Sequence, residues 1–512
     1  MSWLHHISLR HLLCACAGLL LLSCFDNRHE PTEAELSAFG KYVEVLDTLE
    51  MNQCIRRILA ADTSSVWEAD NIVRDYYATH QPFEALWFTR MGLSPDGDTL
   101  LATLRQELPL NGLDSTAFHI NPIAEALSVT HALAFDSLGL NINEVLTRLD
   151  YQLSQAYVRY AIGQRYGFTR PEKLLNQLDT KAEGGYARLF DFTLKKHDYR
   201  EAMQALTSDQ RIAYLKASAP SSPLYQALQQ QLSKTTDADR RRTLAVNLER
   251  CRWQASQPES KGRRILVNIP AQQLWAIGPD TVIDMRICCG TTLTKTPLLH
   301  SAITHIEVNP AWNIPQTIIK AEVSAHAGDS AYFARHRYSI INRSTGETLN
   351  PAHVTVQQLQ AGGLRVSQRG GAGNSLGRIV FRFPNDFAVY LHDTSSRGAF
   401  QRERRTLSHG CIRVQKPFEL ASFVLPEADE WTLERLRLSM DIPPVTDRGR
   451  TYLREHAADA RPLRLINHQK VSPNVPVDIT YFTAFPNPAT DSVEFWPDLY
   501  KYDALLASQL PL

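Results

Sequence analysis

The segment Leu407-Ser408-His409-Gly410-Cys411-Ile412-Arg413-Val414 carries the residue types of nucleophilic acyl transfer. His392 stands nineteen residues upstream of Cys411, in Val389-Tyr390-Leu391-His392-Asp393-Thr394. A thiol attacks a carbonyl as its thiolate, yet an unperturbed cysteine, with a pKa of about 8.5, is only slightly ionised near neutrality. A neighbouring imidazole takes the proton, holds the ion pair and returns the proton to a leaving amine. The pattern predicts that His392 closes one strand and Cys411 opens the next β-type run, so that adjacent strands bring base and nucleophile together. His409 is nearer along the chain, but residues two apart on an extended segment point the same way without having to meet. Its expected role is a supporting one on the oxyanion side. Gly410 lets the backbone approach a substrate closely, and amides around Gly410-Cys411 suit a developing oxyanion.

Taken singly, each residue has a plainer account: a lone cysteine packs as a small hydrophobe, and a lone histidine is a satisfied polar group. The combination favours chemistry. A zinc site from His392, His409, Cys411 and Cys288 or Cys289 lacks any close-spaced ligand pair such as CxxC or HExxH, so neither metal nor cofactor is expected.

The elements that must position these groups fall into two textures. From about residue 33 to 253 the apolar spacing is helical, as at 143–161 (Leu146, Leu149, Leu153, Ala156, Tyr157) and 223–232. Pro171 and Pro223 mark helix starts, and Gly112-Leu113-Asp114-Ser115 reads as a stop followed by a capped start. Past Gln257-Pro258-Glu259-Ser260-Lys261-Gly262, which resembles a linker, short β-type runs follow at 264–270, 273–277, 281–287, 303–308, 363–368, 377–383 and 388–392. A last one lies at 477–484. The expected fold is α+β: a mainly helical N-terminal part, then a mostly β catalytic domain.

At about 150 residues per domain, 512 residues suggest two to four domains. The 54 Lys and Arg balance 54 Asp and Glu, so nothing in the charge draws the protein toward nucleic acid, and no nucleic-acid partner is expected. Leu12, Leu13 and Leu19 to Leu22 form an apolar run too short to span a bilayer but suited to a secretory signal. The run ends in Leu21-Leu22-Ser23-Cys24, which resembles a lipobox. Cleavage after residue 23 and lipidation of Cys24 are therefore expected, with a membrane anchor. That leaves Cys54, Cys251, Cys288, Cys289 and Cys411, an odd number, so at least one thiol stays unpaired in an oxidising compartment. Whether Cys288 and Cys289 join each other is open at this point.

Ser408-His409-Gly410-Cys411-Ile412-Arg413 with upstream His392 resembles the signature of the YkuD-type L,D-transpeptidases, bacterial enzymes of peptidoglycan cross-linking. The likeness extends to Val267-Asn268-Ile269-Pro270, Gly290 with Thr296-Pro297, Asn309-Pro310-Ala311-Trp312-Asn313-Ile314-Pro315, Asn374-Ser375-Leu376-Gly377, Phe383-Pro384-Asn385 and Tyr481-Phe482-Thr483-Ala484. Upstream, Asn247-Leu248-Glu249-Arg250-Cys251-Arg252-Trp253 resembles a helix of the larger, periplasmic branch, with Cys251 where a tryptophan is usual. The resemblance implies a helical scaffold over 24–258, a catalytic domain over 259–440 with a lid at about 318–363, and an extension over 441–512 packing on the catalytic domain. A small wall-binding helical domain usual in that branch has too little room before residue 247, so it is expected to be missing.

The resemblance further implies Cys411 as nucleophile, His392 as base and the backbone carbonyl of Asp393 as the group that orients the imidazole. Tyr390 and Arg413 would position the acyl donor, and Ser408 would support the loop. Donor and acceptor would be peptidoglycan stem peptides: a tetrapeptide stem loses D-Ala, and the thioester passes to another stem's diamino acid in a 3–3 cross-link. Protein attachment, D-amino-acid exchange and L,D-carboxypeptidase trimming share that thioester. Carbapenem-type inhibitors are expected to acylate Cys411, and the place of work to be the periplasmic face of a Gram-negative envelope. Arg402, Arg404 and Arg405 read as a solvated face, with stem carboxylates as the alternative. Sortase-type enzymes share the order His, Cys, Arg, but with cysteine and arginine far apart. Papain-like enzymes place Cys before His. A non-enzymatic wall-binding lipoprotein would be free to lose Cys411, His392 and Gly410, and all three are present.

Overall fold

The computed structural model describes residues 46–62, 67–89, 92–180, 185–253, 262–457 and 463–512. The expected signal, Cys24, the start of the helical stretch from residue 33 to 45 and the linker up to Lys261 lie outside them. Two compact units form: one from the described residues up to Phe168 with 196–221 and 511–512, the other from 169–195 with 222–510. Among the described residues no helix is long and apolar enough to cross a membrane.

The first unit is helical: α1 (Thr48–Ala61), α2 (Glu68–Thr79), α3 (Pro95–Leu110), α4 (Ile120–His131) and the central α5 (Ile142–Tyr166). Side chains cap three of the starts. Asp47, Ser94 and Asn141 accept from amides of α1, α3 and α5, and Pro95 opens α3 where its missing N–H costs nothing. α5 buries residues on all sides, including Leu149, Leu153, Tyr157 and Tyr160. The unit's core forms around it, with Val73, Trp87, Leu104 and Phe118.

In the second unit, α6 (Pro223–Lys234) and α7 (Ala238–Arg252) precede the sheet. Its strands are β1 (Arg264–Asn268), β2 (Gln273–Ile277), β3 (Val282–Gly290), β4 (Leu298–Val308), β5 (Trp312–Asn313), β6 (Tyr338–Asn342), β7 (Thr348–Leu349), β8 (Leu364–Gln368), β9 (Ile379–Arg382), β10 (Leu391–His392), β11 (Thr406–Ser408), β12 (Ile412–Val414) and β13 (His468–Thr480). Hydrogen bonding runs β9-β10-β12-β3-β2-β1-β13-β4, and β4 pairs β9 in turn, so the path closes on itself. Ile265, Val267, Ile287, Ile303, Phe381, Leu391, Ile412, Val477 and Ile479 fill its core. Closure leaves β9 and β10 without an open edge on this path.

The long segment after β5 folds as a subdomain. β7-β6-β8-β5 form a separate sheet over a core of Ile314, Ile319, Val323, Phe333, Ile340, Leu359 and Val366. That internal core is why it departs from loop statistics. β13 begins at His468, nine residues before the expected 477, and its pairing with β4 is interrupted between Lys470 and Val475. Pro473 and Pro476 mask that half in the sequence, because proline removes a ladder donor. The expected run at 388–392 shortens to β10, with Ala388 at φ +52°.

Candidate active site

β10 and β12 are parallel neighbours, with Leu391 opposite Ile412 and His392 opposite Arg413. Leu391 and Ile412 point into the core. Alternation along a strand therefore sends His392 and Arg413 to the other face, with Tyr390 and Cys411 two positions back. The Ile412 amide donates to the Tyr390 carbonyl at 3.1 Å, which sets Cys411 beside Tyr390. Four of the expected site residues thus share one sheet face: Tyr390, His392, Cys411 and Arg413.

His392 is buried, and its Nδ1 lies 2.5 Å from the Asp393 carbonyl oxygen. Donation from Nδ1 to that carbonyl leaves Nε2 as the basic nitrogen. Burial, and then the charge of Arg413, push the imidazole down to about 3, against the carbonyls of Asp393 and Leu376, which favour its charged form. Asp393 itself is fixed: its carboxylate accepts from the Arg378 amide and from Arg397, each at 2.8 Å. Gly377 stands at φ +67°, and a Cβ there would come within 2.4 Å of the Asp393 side chain, so this approach requires glycine.

Cys411 keeps part of its surface open, and its Sγ lies 3.7 Å from the Ala388 carbonyl. Burial raises the thiol above its ordinary range, while the amide and hydroxyl of Tyr390 and the charges of Arg382 and Arg413 favour the thiolate. With His392 held down and Cys411 held up, both shifts work against a thiolate–imidazolium pair at rest. Tyr390 is itself held by Trp312 and by Arg382, whose guanidinium lies 4.5 Å from the ring centre. Its ring meets that of His392 edge-on at 5.7 Å. Arg413 forms no ion pair among the described residues, and its buried Nε has no hydrogen-bond partner.

Hydrogen bonds brace the loop before Cys411. Ser408 Oγ accepts from the Gly410 amide at 3.1 Å and donates to the Cys411 carbonyl at 2.5 Å. The Gly410 amide is therefore already engaged, which points an oxyanion toward the Cys411 amide. Gly410 sits at φ +115°, in the region that disfavours a side chain. His409 is exposed, and its Nε2 meets Glu322 Oε1 of the inserted subdomain at 2.9 Å.

Two supports had no signal in the site motif. Thr296 Oγ1 donates to the Gly410 carbonyl at 2.8 Å and accepts from the Gly290 amide, while Tyr500 donates to the Gly290 carbonyl at 2.7 Å. The turn after β3 also holds Ser408, whose carbonyl accepts from the Thr291 amide and Thr294 Oγ1. Arg405 corrects its expected place on a solvated face. It is buried, and its guanidinium donates to the carbonyls of Ile287, Gln272 and Arg402. A fork of five donors suits such a staple, and spacing alone does not show where it points. Arg402 and Arg404 are exposed.

All five described cysteines are free thiols, including neighbouring Cys288 and Cys289, and burial pushes the Cys289 thiol up to about 12. Among the described residues no cluster of three or more His, Cys, Asp or Glu is arranged to hold a metal ion.

Residues 262–441 match the family model of the L,D-transpeptidase catalytic domain, YkuD, and residues 71–232 match that of a scaffold domain. A Haemophilus influenzae protein named "Putative L,D-transpeptidase" is 30% identical over 308 residues, which are 59% of this chain and 57% of that protein. The match thus spans less than two thirds of the relative's length.

Proposed function

From a region, residues 262–441, that belongs to the L,D-transpeptidase catalytic-domain family, we propose that this protein is a peptidoglycan L,D-transpeptidase forming 3–3 cross-links. The observation that carries the reading is the β10–β12 register, which sets Tyr390, His392, Cys411 and Arg413 on one face while the Asp393 carbonyl orients the imidazole. His392 Nε2 takes the Cys411 proton as the sulfur attacks the carbonyl between the diamino acid and D-Ala of a tetrapeptide stem. The Cys411 amide receives the developing oxyanion, and Arg413, lacking an ion pair of its own among the described residues, holds a donor carboxylate. The imidazolium returns the proton to the amine of D-Ala as the C–N bond breaks and the thioester forms. An amine of a second stem then attacks the thioester, a proton passes through His392 to the departing sulfur, and the amide cross-link is made.

In this reading the inserted subdomain is a lid over the donor site, residues 24–258 a helical scaffold, and 441–512 an extension of the catalytic domain. Lipidation at Cys24 would hold the protein at a membrane on the periplasmic side, within reach of the wall, and a carbapenem would acylate Cys411. The test is to incubate the purified protein and its Cys411→Ala variant with disaccharide-tetrapeptide and weigh the products. Dimers lacking one D-Ala, absent with the variant, are the expected result. Tripeptide monomers alone would replace cross-linking with trimming or another acceptor. Absence of both products and of acyl-enzyme would overturn the reading.

A further inference from the structure

The site face is electrically lopsided. Arg382 and Arg413 are the cations flanking Tyr390 and His392. Arg382 is paired with Glu307 at 3.0 Å, and the Asp393 carboxylate is buried and occupied by Arg397 and the Arg378 amide, which leaves Arg413 as the cation without an ion pair among the described residues. This side suits a carboxylate-bearing donor and repels a cation. The opposite sign arrives from the inserted subdomain. Glu322, at the C-terminal end of the helix Gln316–Ala321, reaches the catalytic loop and meets His409, two residues before Cys411. Both side chains are about half exposed, 55% and 48%, so the pair stands at the rim, open to a ligand. The Tyr332 and Tyr338 hydroxyls lie within range of the Glu322 charge, and Tyr332 stacks on His326 with ring centres 3.8 Å apart.

The second half of the proposed reaction needs this complement. An amine acceptor reaches the site mostly as its ammonium, because an alkylamine has a pKa of about 10. It must be drawn past the unpaired charge of Arg413 and must lose a proton before it becomes a nucleophile. We propose, resting on the transpeptidase reading, that Glu322 and His409 form the acceptor subsite and select a cationic amine.

Glu322 holds the ammonium, and His409 takes one proton from it and releases that proton to water. The freed lone pair forms the C–N bond to the thioester carbonyl. The second amine proton passes to His392 and then to the Cys411 sulfur as the C–S bond breaks. The lid in this account supplies the group that distinguishes an amine acceptor from water.

The experiment uses the whole purified protein, with Glu322→Gln and Glu322→Asp, a tetrapeptide-stem donor and two nucleophiles. One is a stem peptide with a charged amine; the other is hydroxylamine, uncharged at neutral pH. Glu322→Gln is expected to lower transfer to the stem amine at least about tenfold relative to hydrolysis, chiefly through a higher acceptor KM. Acyl-enzyme formation, read by intact mass, and transfer to hydroxylamine should stay within about twofold of wild type, and Glu322→Asp should recover part of the loss. Equal losses with both nucleophiles, or a slower acylation that accounts for the whole loss, would make the pair a structural latch and overturn the proposal. Unchanged transfer to the stem amine would overturn it as well. Failure of the wild type to form acyl-enzyme would instead remove the transpeptidase reading on which it rests.

Discussion

Two buried titratable groups, one in each unit, are treated in opposite ways. Asp150 on α5 is fully buried and surrounded by donors: Tyr77 Oη at 2.5 Å, the Leu86 amide at 2.9 Å and the Trp87 amide at 2.8 Å. Ser154, one turn on, accepts from Trp87 Nε1 at 2.9 Å and shares the Tyr77 hydroxyl. Burial pushes the Asp150 carboxyl up to about 6 while every one of those donors pulls it down. His392 is nearly as buried, but one nitrogen is fixed by the Asp393 carbonyl while its face of the sheet also carries a partly exposed thiol and an arginine with an unpartnered Nε. A closed polar network pins a chain segment; a network left open on one side leaves groups for a substrate to complete.

The comparison is broken most directly at the proposed nucleophile. Cys411→Ala should reduce acyl-enzyme formation by at least about 10⁴-fold. Its melting temperature should remain within a degree or so of wild type, since the loop is held by Ser408, Thr296 and Tyr500 rather than by the thiol. A variant that kept its activity would place the chemistry elsewhere. His392→Ala should cost less, about 10²- to 10⁴-fold in the same assay, because some thiolate forms without a base.

In the helical unit the balance reverses. Asp150→Ala strands the Tyr77 hydroxyl and the Leu86 and Trp87 amides, and should cost about 3 kcal/mol or more in denaturant unfolding while the folded fraction acylates normally. A mild change in stability would mean that the network is redundant.

The smallest effect sharpens the contrast. Cys411 is raised and His392 lowered to about 3, so neither shift favours a thiolate–imidazolium pair at rest. Alkylation of Cys411 by iodoacetamide should therefore climb with pH through and beyond about 8.5, the ordinary thiol value. A plateau reached on the acid side of neutrality would show a preformed ion pair instead. The same lowered imidazole works against stability in acid. The unfolded chain binds a proton at this histidine below about 6.5 that the folded chain refuses until about 3, so stability should fall as pH drops through that window.

Much of the candidate site face was readable because its determinants are local. Ser408 to Arg413 and Tyr390 to Asp393 are short segments whose alternation alone sorts core-facing from site-facing residues. Helices such as α5 and α6 were equally visible, since the spacing of Leu146, Leu149, Leu153, Ala156 and Tyr157 and the first-turn Pro223 are local signals. What stayed hidden depends on distant partners. The staple made by Arg405, the brace from Tyr500 to Gly290 and the reach of Glu322 to His409 join segments 87 to 210 residues apart. No periodicity encodes such contacts.

By itself, the sequence determined the presence of a cysteine and a histidine in the pattern of nucleophilic acyl transfer, the change from helical to β texture past residue 253, and an unpaired thiol. Alternation, caps and turns are properties of neighbouring residues, so a linear reading reaches them. Tertiary structure alone decided that β10 and β12 lie parallel, that the Gly410 amide is already engaged, and that a carboxylate from an inserted subdomain stands against the loop before Cys411. Register, burial and the sign of a pKa shift arise from which segments share space. That is settled only when the sheet closes and its core fills.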